Sequence, residues 1–346
     1  KCYGTDLCKF LLTDSYISKV KIVDIFSLFF SVKNVIFCEY LNQKIVLKKL
    51  GSSQDLSHLD TLPNESLDHI RSQNIKKKIK KSLSFNENKF DLQICPSVNK
   101  FEYIVDQIRF QQNISINSSE YYAFLYNMYI ILQINPEPII LQILNNAEYP
   151  IPKFLGFCGR VSVQMYMGKT MTKFYFSDWK IRANITLQIL DAAHVFTFKH
   201  KDFRIYLLDI SMDNIVVSNT GKISYIDLEH VLLLDKNSEV NTKEWYDNHI
   251  SEIIKCESKN CFAYSPMDIC SHYLSDHNIY MTCEMLLNET TNFLHGIPEK
   301  IKKMFPNVTE MLQNCVDPFR KKIVQSRFSI SKDIIKVLKE SIRILS

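Results

Sequence analysis

Glycine is scarce in this chain, with seven among 346 residues. No Gly-x-Gly-x-x-Gly run and no Walker lysine loop can be drawn from those seven, so a glycine-built phosphate cradle of either kind is excluded. The sequence also has no Gly-x-Ser-x-Gly elbow, no His-Glu-x-x-His helix and no Cys-x-x-Cys pair, which removes the usual esterase, zinc-protease and thioredoxin-type chemistries. The nine histidines offer no defensible triad. No apolar stretch reaches membrane-spanning length, and the nearest, Ile22–Val32, is interrupted by Asp24. Charge of one sign is not in excess, the formal net charge being +5. The single dense basic run, Lys76–Lys81, is flanked by polar residues and reads as a solvated loop or helix end, not as a nucleic-acid face.

What is present is ordinary for a globular chain: 46% hydrophobic and 23% charged residues, enough for a real core in one large domain or two lobes. Ten cysteines stand at 2, 8, 38, 95, 158, 256, 261, 270, 283 and 315. The five between Cys256 and Cys315 suit disulfides stapling a loop-rich segment in an oxidising compartment, with the pairing left open. A zinc reading of Cys270, His272, His277 and Cys283 is the alternative, although the spacing matches no usual zinc knuckle. Six Asn-x-Ser/Thr sequons, at Asn64, Asn113, Asn117, Asn184, Asn288 and Asn307, exceed the roughly three or four that chance would supply. The chain starts at Lys1, as a secreted protein does after its signal peptide is removed, and its end carries no lumenal retrieval signal. The expectation is a glycosylated protein of the secretory lumen (endoplasmic reticulum or Golgi) or a secreted one.

Along the chain, Phe37–Leu50 reads as two strands around a turn at Asn42-Gln43. Residues 51–100 are polar and read as an insertion with short helices. Tyr121–Ile134 is a buried helix or a strand pair, and Pro136–Leu144 a short helix with proline at its start. Phe154–Met167 reads as two strands turned at Gly156–Arg160. Asp178–Phe198 has helical apolar spacing at Ile181, Ile185, Ile189, Ala192 and Phe196. A strand ending at Leu208, a loop, and a hairpin at Ile215–Val217 and Ile223–Ile226 follow, then a mostly helical tail. This order predicts an α+β fold: a small mixed lobe, then a larger, mainly helical, disulfide-stapled lobe. The expected boundaries are an N-terminal segment over 1–35, a first lobe over 36–168 with an insertion at about 51–115, and a second lobe over 169–346, Cys-rich from about 250.

The most informative stretch is LLDISMDNIVVSNTGKISYIDLEHV, residues 207–231. Asp209, Asn214 and Asp227 have the spacing of a protein-kinase active site. With 20 Asp and 25 Asn in the chain, the pattern arises by chance roughly 0.08 times per chain. Phosphoryl transfer asks one carboxylate to orient an acceptor hydroxyl, and an amide oxygen and a second carboxylate to hold Mg²⁺ or Mn²⁺ on the phosphates of ATP. Asp209 is then the base, and Asn214 and Asp227 the metal ligands. Ile45-Val46-Leu47-Lys48 resembles a phosphate-binding strand, with Lys48 turned into the cleft and Lys49 to solvent. Glu137 is the preferred partner of Lys48, with Glu120 as the alternative. Gln164, Met165, Tyr166 and Met167 fall where a hinge presents backbone groups to adenine.

These segments together resemble the divergent protein kinase domain (DIPK) family, its 2A/2B-type subgroup in particular. The motifs are CYGTDLC, IVLKKLGSSQDLSHLD, NPEPIILQIL, FLGFCGR, YLLDISMDN, YIDLEHVLLLD and CSHYLSDHNIYMTC, which cover most of the chain. The resemblance implies a kinase-like fold, disulfides in the second lobe and residence in the secretory pathway. It implies either a kinase for a secreted protein or glycan, or a pseudokinase serving as a signalling factor with a cell-surface partner. There are departures. Leu207 and Leu208 stand in place of the His and Arg before the base, Ser211 in place of the following Lys, and Glu229 in place of the Gly after the metal-binding Asp. No clear Ala-Pro-Glu follows; Ser265-Pro266-Met267 is a weak echo.

Overall fold

The computed structural model describes residues 17–18, 35–40, 42–51, 69–87, 89, 91–118, 120–145, 148–158, 160–252, 264–287, 292–320 and 325–345. Cys2, Cys8, Cys256, Cys261, the sequons at Asn64 and Asn288, and most of the 1–35 segment lie outside these residues.

The fold is mixed α+β. Strands β1 (Ile17–Ser18), β2 (Val35–Tyr40), β3 (Gln43–Lys49), β5 (Phe154–Cys158) and β6 (Val161–Met165) make an antiparallel sheet in the order β1–β2–β3–β6–β5. The β2–β3 turn uses Asn42 in the left-handed region (φ 61°), which Asn enters more readily than most side chains. Alternation along β3 decides what faces where. Ile45 and Leu47 join Cys38, Val163 and Met165 in a small core on one face. Val46 and Lys48, paired with Gln164 and Ser162 of β6, take the other.

Between β3 and β5 the chain builds α1 (His69–Leu83), β4 (Gln93–Cys95), α2 (Phe101–Gln111), α3 (Glu120–Ile134) and α4 (Glu137–Ile143). The basic run at 76–81 lies inside α1, a helix whose Ile75, Ile79 and Leu83 are buried. Its lysines lie on rings: Lys78 over Tyr129 and Lys80 over Phe101, each at 5.7 Å. The insertion thus holds a fifteen-residue helix and a strand in addition to short helices. Of the two readings of 121–134, the helix is the one formed.

After β6, Gly168 (φ 140°) carries the chain past the body of the protein. A Cβ there would lie 2.1 Å from the Val217 carbonyl, so no other residue fits this approach. Strand β7 (Lys169–Thr170) then joins β9 (Ile215–Val217) and β10 (Ile223–Tyr225) in a sheet of order β10–β9–β7. Helix α5 (Trp179–Phe198) lies buried between two cores. Ile185, Ile189, Ala192 and Phe196 face the larger core, while Ala183, Leu190 and Ala193 face the smaller one. Ile181, expected on the inner stripe, is 45% exposed, while Trp179 and Ala183 on either side of it are buried in the smaller core.

The third sheet has the order β4–β11–β8, formed by β8 (Phe203–Leu207) and β11 (Val231–Asp235) with β4 from the insertion; β11 is parallel to β4 and antiparallel to β8. Every residue of β8 and β11 is buried. Cys95 at the end of β4 is bonded to Cys270 in α6 (Pro266–Ser271). A second disulfide joins Cys283 of α7 (His277–Leu287) to Cys315 of α9 (Val308–Val316); α8 (Glu299–Met304) precedes α9. The expected staple inside the 256–315 stretch is therefore corrected in part: Cys270 reaches back 175 residues to Cys95. Both sulfurs of the zinc alternative are consumed in these bonds, which removes that reading. Helix α10 (Arg327–Ile344) closes the fold, its buried Arg327 bonded to Asp276 at 2.7 Å and to the Cys315 carbonyl at 2.8 Å.

Candidate active site

The site begins with Lys48 of β3. Its ammonium lies 2.9 and 2.7 Å from the two carboxylate oxygens of Glu137 and 2.9 Å from Oδ1 of Asp227. Burial pushes the lysine down, but the two carboxylates outweigh it and hold the ammonium at a pKa of about 12. Glu120, the alternative partner, instead lines a separate cavity.

Glu137 is fully buried at the start of α4. Its own N–H donates to Asn135 Oδ1 at 2.9 Å, which satisfies one of the free backbone donors at the helix start. Besides the lysine, Oε1 accepts from the backbone N–H groups of Asp227 (2.9 Å) and Leu228 (3.3 Å), and Oε2 accepts from Gln164 Nε2 (3.1 Å). A buried carboxylate is tolerable only when paired and hydrogen-bonded, and this one has both kinds of partner. Asn135 also donates to Glu229, so the residue standing in place of glycine ties the Asp227 loop to the start of α4 a second time.

Asp227 occupies the left-handed region at φ 60°, a conformation uncommon outside glycine. The hairpin of β9 and β10 delivers it: Ile215 pairs with Tyr225, and Ile226 N–H donates to the Asn214 carbonyl at 2.9 Å. The separation of Asn214 and Asp227 is thereby fixed by backbone bonds. Asn214 Nδ2 donates to Asp209 Oδ2 at 2.8 Å, which directs its amide nitrogen at that carboxylate and its oxygen elsewhere.

The two leucines before Asp209 are held from behind. Leu207 N–H donates to Asn278 Oδ1 (3.0 Å), and the Leu207 carbonyl accepts from His277 Nε2 (2.9 Å). The Leu208 carbonyl accepts from the Tyr264 hydroxyl (2.9 Å). Burial lowers His277 to a pKa of about 4, so the imidazole is neutral and carries its proton on Nε2. Burial, with a smaller push from the Asp209 charge, raises Tyr264 and keeps it a donor. Neutral side chains thus hold this backbone where the His and Arg of the usual motif are missing.

In the segment expected to be the hinge, Met165 N–H donates to the Lys153 carbonyl and Tyr166 N–H to the Lys44 carbonyl, both at 3.0 Å, so these two donors are already engaged within the protein. Gln164, read from sequence as a hinge backbone position, also sends its side chain to Glu137. A cavity of about 700 Å³ lies beside Tyr166, bordered by Phe37, Glu39, Lys44, Lys169 and Lys173, within the size range of small-molecule sites. Met167 lines a different cavity, on the side of the α5 residues Gln188 and Asp191.

The structure therefore brings Lys48, Glu137, Gln164 and Asp227 into one bonded group, and joins Asp209 to Asn214 beside it. Sequence reasoning missed the supporting contacts of Asn135, Glu229, Tyr264, His277 and Asn278, which hold the others. No group of three or more His, Cys, Asp or Glu side chains able to hold a metal occurs among the described residues. The remaining donors, one carboxylate and one amide oxygen, are hard oxygens. They suit Mg²⁺, which fills most of its shell with phosphate and water.

A lysine buried against a helix glutamate, an aspartate after a hairpin and an Asp–Asn loop define a protein of the kinase-like class. Residues 128–318 match the family described as the protein-kinase domain of FAM69, and the chain belongs to that family. It is similar to divergent protein kinase domain 2A of Xenopus tropicalis, with 28% identity over 96% of this chain and 84% of that protein. The Homo sapiens 2A protein is 26% identical over the same shares. The Homo sapiens 2B protein is 26% identical over 55% of this chain and 42% of that protein.

Proposed function

We propose that this protein is a kinase-like phosphotransferase of the secretory pathway, moving the γ-phosphate of ATP to a hydroxyl of a secreted protein or glycan. Lys48, fixed by Glu137, grips the phosphates. Asn214 and Asp227 hold Mg²⁺ or Mn²⁺. Asp209 orients the acceptor hydroxyl and takes its proton as the oxygen bonds to the γ-phosphorus and ADP leaves. The cavity beside Tyr166 receives adenine, and the two lobes divide at about 168. The observation that carries this reading is the bonded group of Lys48, Glu137 and Asp227, with bonds of 2.7 to 2.9 Å. Lumenal or secreted residence is supported by the two disulfides. No described helix is long and apolar enough to cross a membrane.

A second reading, a pseudokinase acting as a secreted signalling factor, draws on the same geometry. Lys48 binds Glu137 and Asp227 to each other with no nucleotide present, as an ion-pair group kept only for structure would. Thermal denaturation with ATP plus Mg²⁺ or Mn²⁺ separates the two. The enzyme reading expects a concentration-dependent rise in Tm that Asp227→Ala abolishes, and phosphate transfer that Asp209→Ala abolishes. A flat wild-type titration rejects it in favour of the second.

A further inference from the structure

We infer that Asn113 carries an N-linked glycan whose first sugar packs on the open face of Phe110; the inference rests on the lumenal residence proposed above. Helix α2 ends in a double turn. Ile114 N–H donates to the Arg109 carbonyl at 3.2 Å and Asn113 N–H to the Phe110 carbonyl at 3.1 Å, with Asn113 left-handed at φ 55°. This is the Schellman stop, and Asn is favoured there for conformational reasons alone.

Three observations go beyond a helix stop. Asn113-Ile114-Ser115 is an acceptor sequon, and both Asn113 and Ser115 are exposed. Phe110, whose carbonyl is bonded to the acceptor residue, is 67% exposed, an apolar surface open to solvent at the same turn. The Arg109 guanidinium lies 4.2 Å from the centroid of that ring. Arg109 is itself buried and pinned, by Asp106 at 3.0 Å and the Ile114 carbonyl at 2.7 Å. The cation therefore backs the ring as a fixed partner. A sugar presents a face of C–H groups with partial positive hydrogens, which complements the negative face of an aromatic ring.

The other described sequons lack this combination. Asn117 and Asn307 are exposed but have no aromatic residue at the position three before them. Asn184 is half-buried within α5, with its amide against the Gly221 turn.

Ser115→Ala removes the sequon and leaves Asn113 to stop the helix, so it separates the two roles. The full chain is expressed in mammalian cells, and the sequons are mapped by mass spectrometry after enzymatic glycan release in heavy-oxygen water. Asn113 is expected to be tagged in the wild type and bare in Ser115→Ala. Enzymatic deglycosylation is expected to lower the wild-type Tm and to leave Phe110→Ala unmoved. A secreted chain with Asn113 bare, whatever the state of Asn117 and Asn307, overturns the inference and leaves the lumenal reading standing. An equal loss of Tm in Phe110→Ala overturns the stacking. A chain recovered only from the cytosol overturns the lumenal reading and this inference with it.

Discussion

Glu137 is the residue on which most of the site's geometry converges. It accepts from an ammonium, an amide and two backbone N–H groups while fully buried. Removing one partner of such an arrangement leaves the others unpaired in a dry environment. Glu137→Ala is expected to destabilise the fold by about 3–5 kcal/mol, measured by urea unfolding. Lys48→Met, which leaves the buried glutamate beside Asp227 without its cation, is expected to cost a comparable amount. His277 gives a pH dependence of definite sign. Its folded pKa is depressed to about 4 against an unfolded value of about 6.5. Below 6.5 the unfolded chain takes up a proton that the folded one refuses, so this contribution is full above pH 6.5 and falls away toward pH 4. The loss is on the order of 3 kcal/mol across that window. His194, His200 and His249 are lowered by burial too and add in the same direction. His277→Gln, which keeps a donor for the Leu207 carbonyl, is expected to flatten the pH 5 to pH 7 difference in unfolding free energy.

At the scale of elements, the third sheet governs the segment that follows Asp227. Strand β11 starts four residues after Asp227 and is bonded along both edges, by β8 and by β4. The Cys95–Cys270 bond fastens β4 to α6 on the far side. In the chain-entropy model, a crosslink across 175 residues is worth ~5 kcal/mol and one across 32 residues ~4 kcal/mol. The Cys95→Ala/Cys270→Ala double variant is therefore expected to lose slightly more stability than the Cys283→Ala/Cys315→Ala pair, read from denaturant midpoints. Much of this level was legible beforehand. The hairpin carrying Asn214 and Asp227 follows from β-branched runs around Ser, Asn and Gly, and α5 from its period. The β2–β3 hairpin, which sets the facing of Lys48, follows from alternation. Strand β4 was not legible, because Gln93-Ile94-Cys95 is too short to show a period and its partner strand is distant. The Cys95–Cys270 pairing was hidden for the same reason. Tyr264, His277 and Asn278 act through backbone atoms of Leu207 and Leu208, and no side-chain motif marks that kind of contact. Gln164 was singled out as a hinge backbone position, whereas the bond from its amide to Glu137 is one that no motif marks.

For the whole molecule, the insertion, read as an ornament on the first lobe, contributes a strand to the sheet that anchors the Asp209 loop. The third sheet cannot close until β11 is made, because this centre strand joins β4 from before α2 to β8 from after α5. Contacts of such range form late and slowly. During synthesis the completed N-terminal elements would wait, with β4 lacking its neighbour, until the ribosome has delivered residue 235. A nascent chain halted before β11 is thus expected to keep Ile94 open to chaperones and Cys95 open to alkylation, and only the longer product closes both.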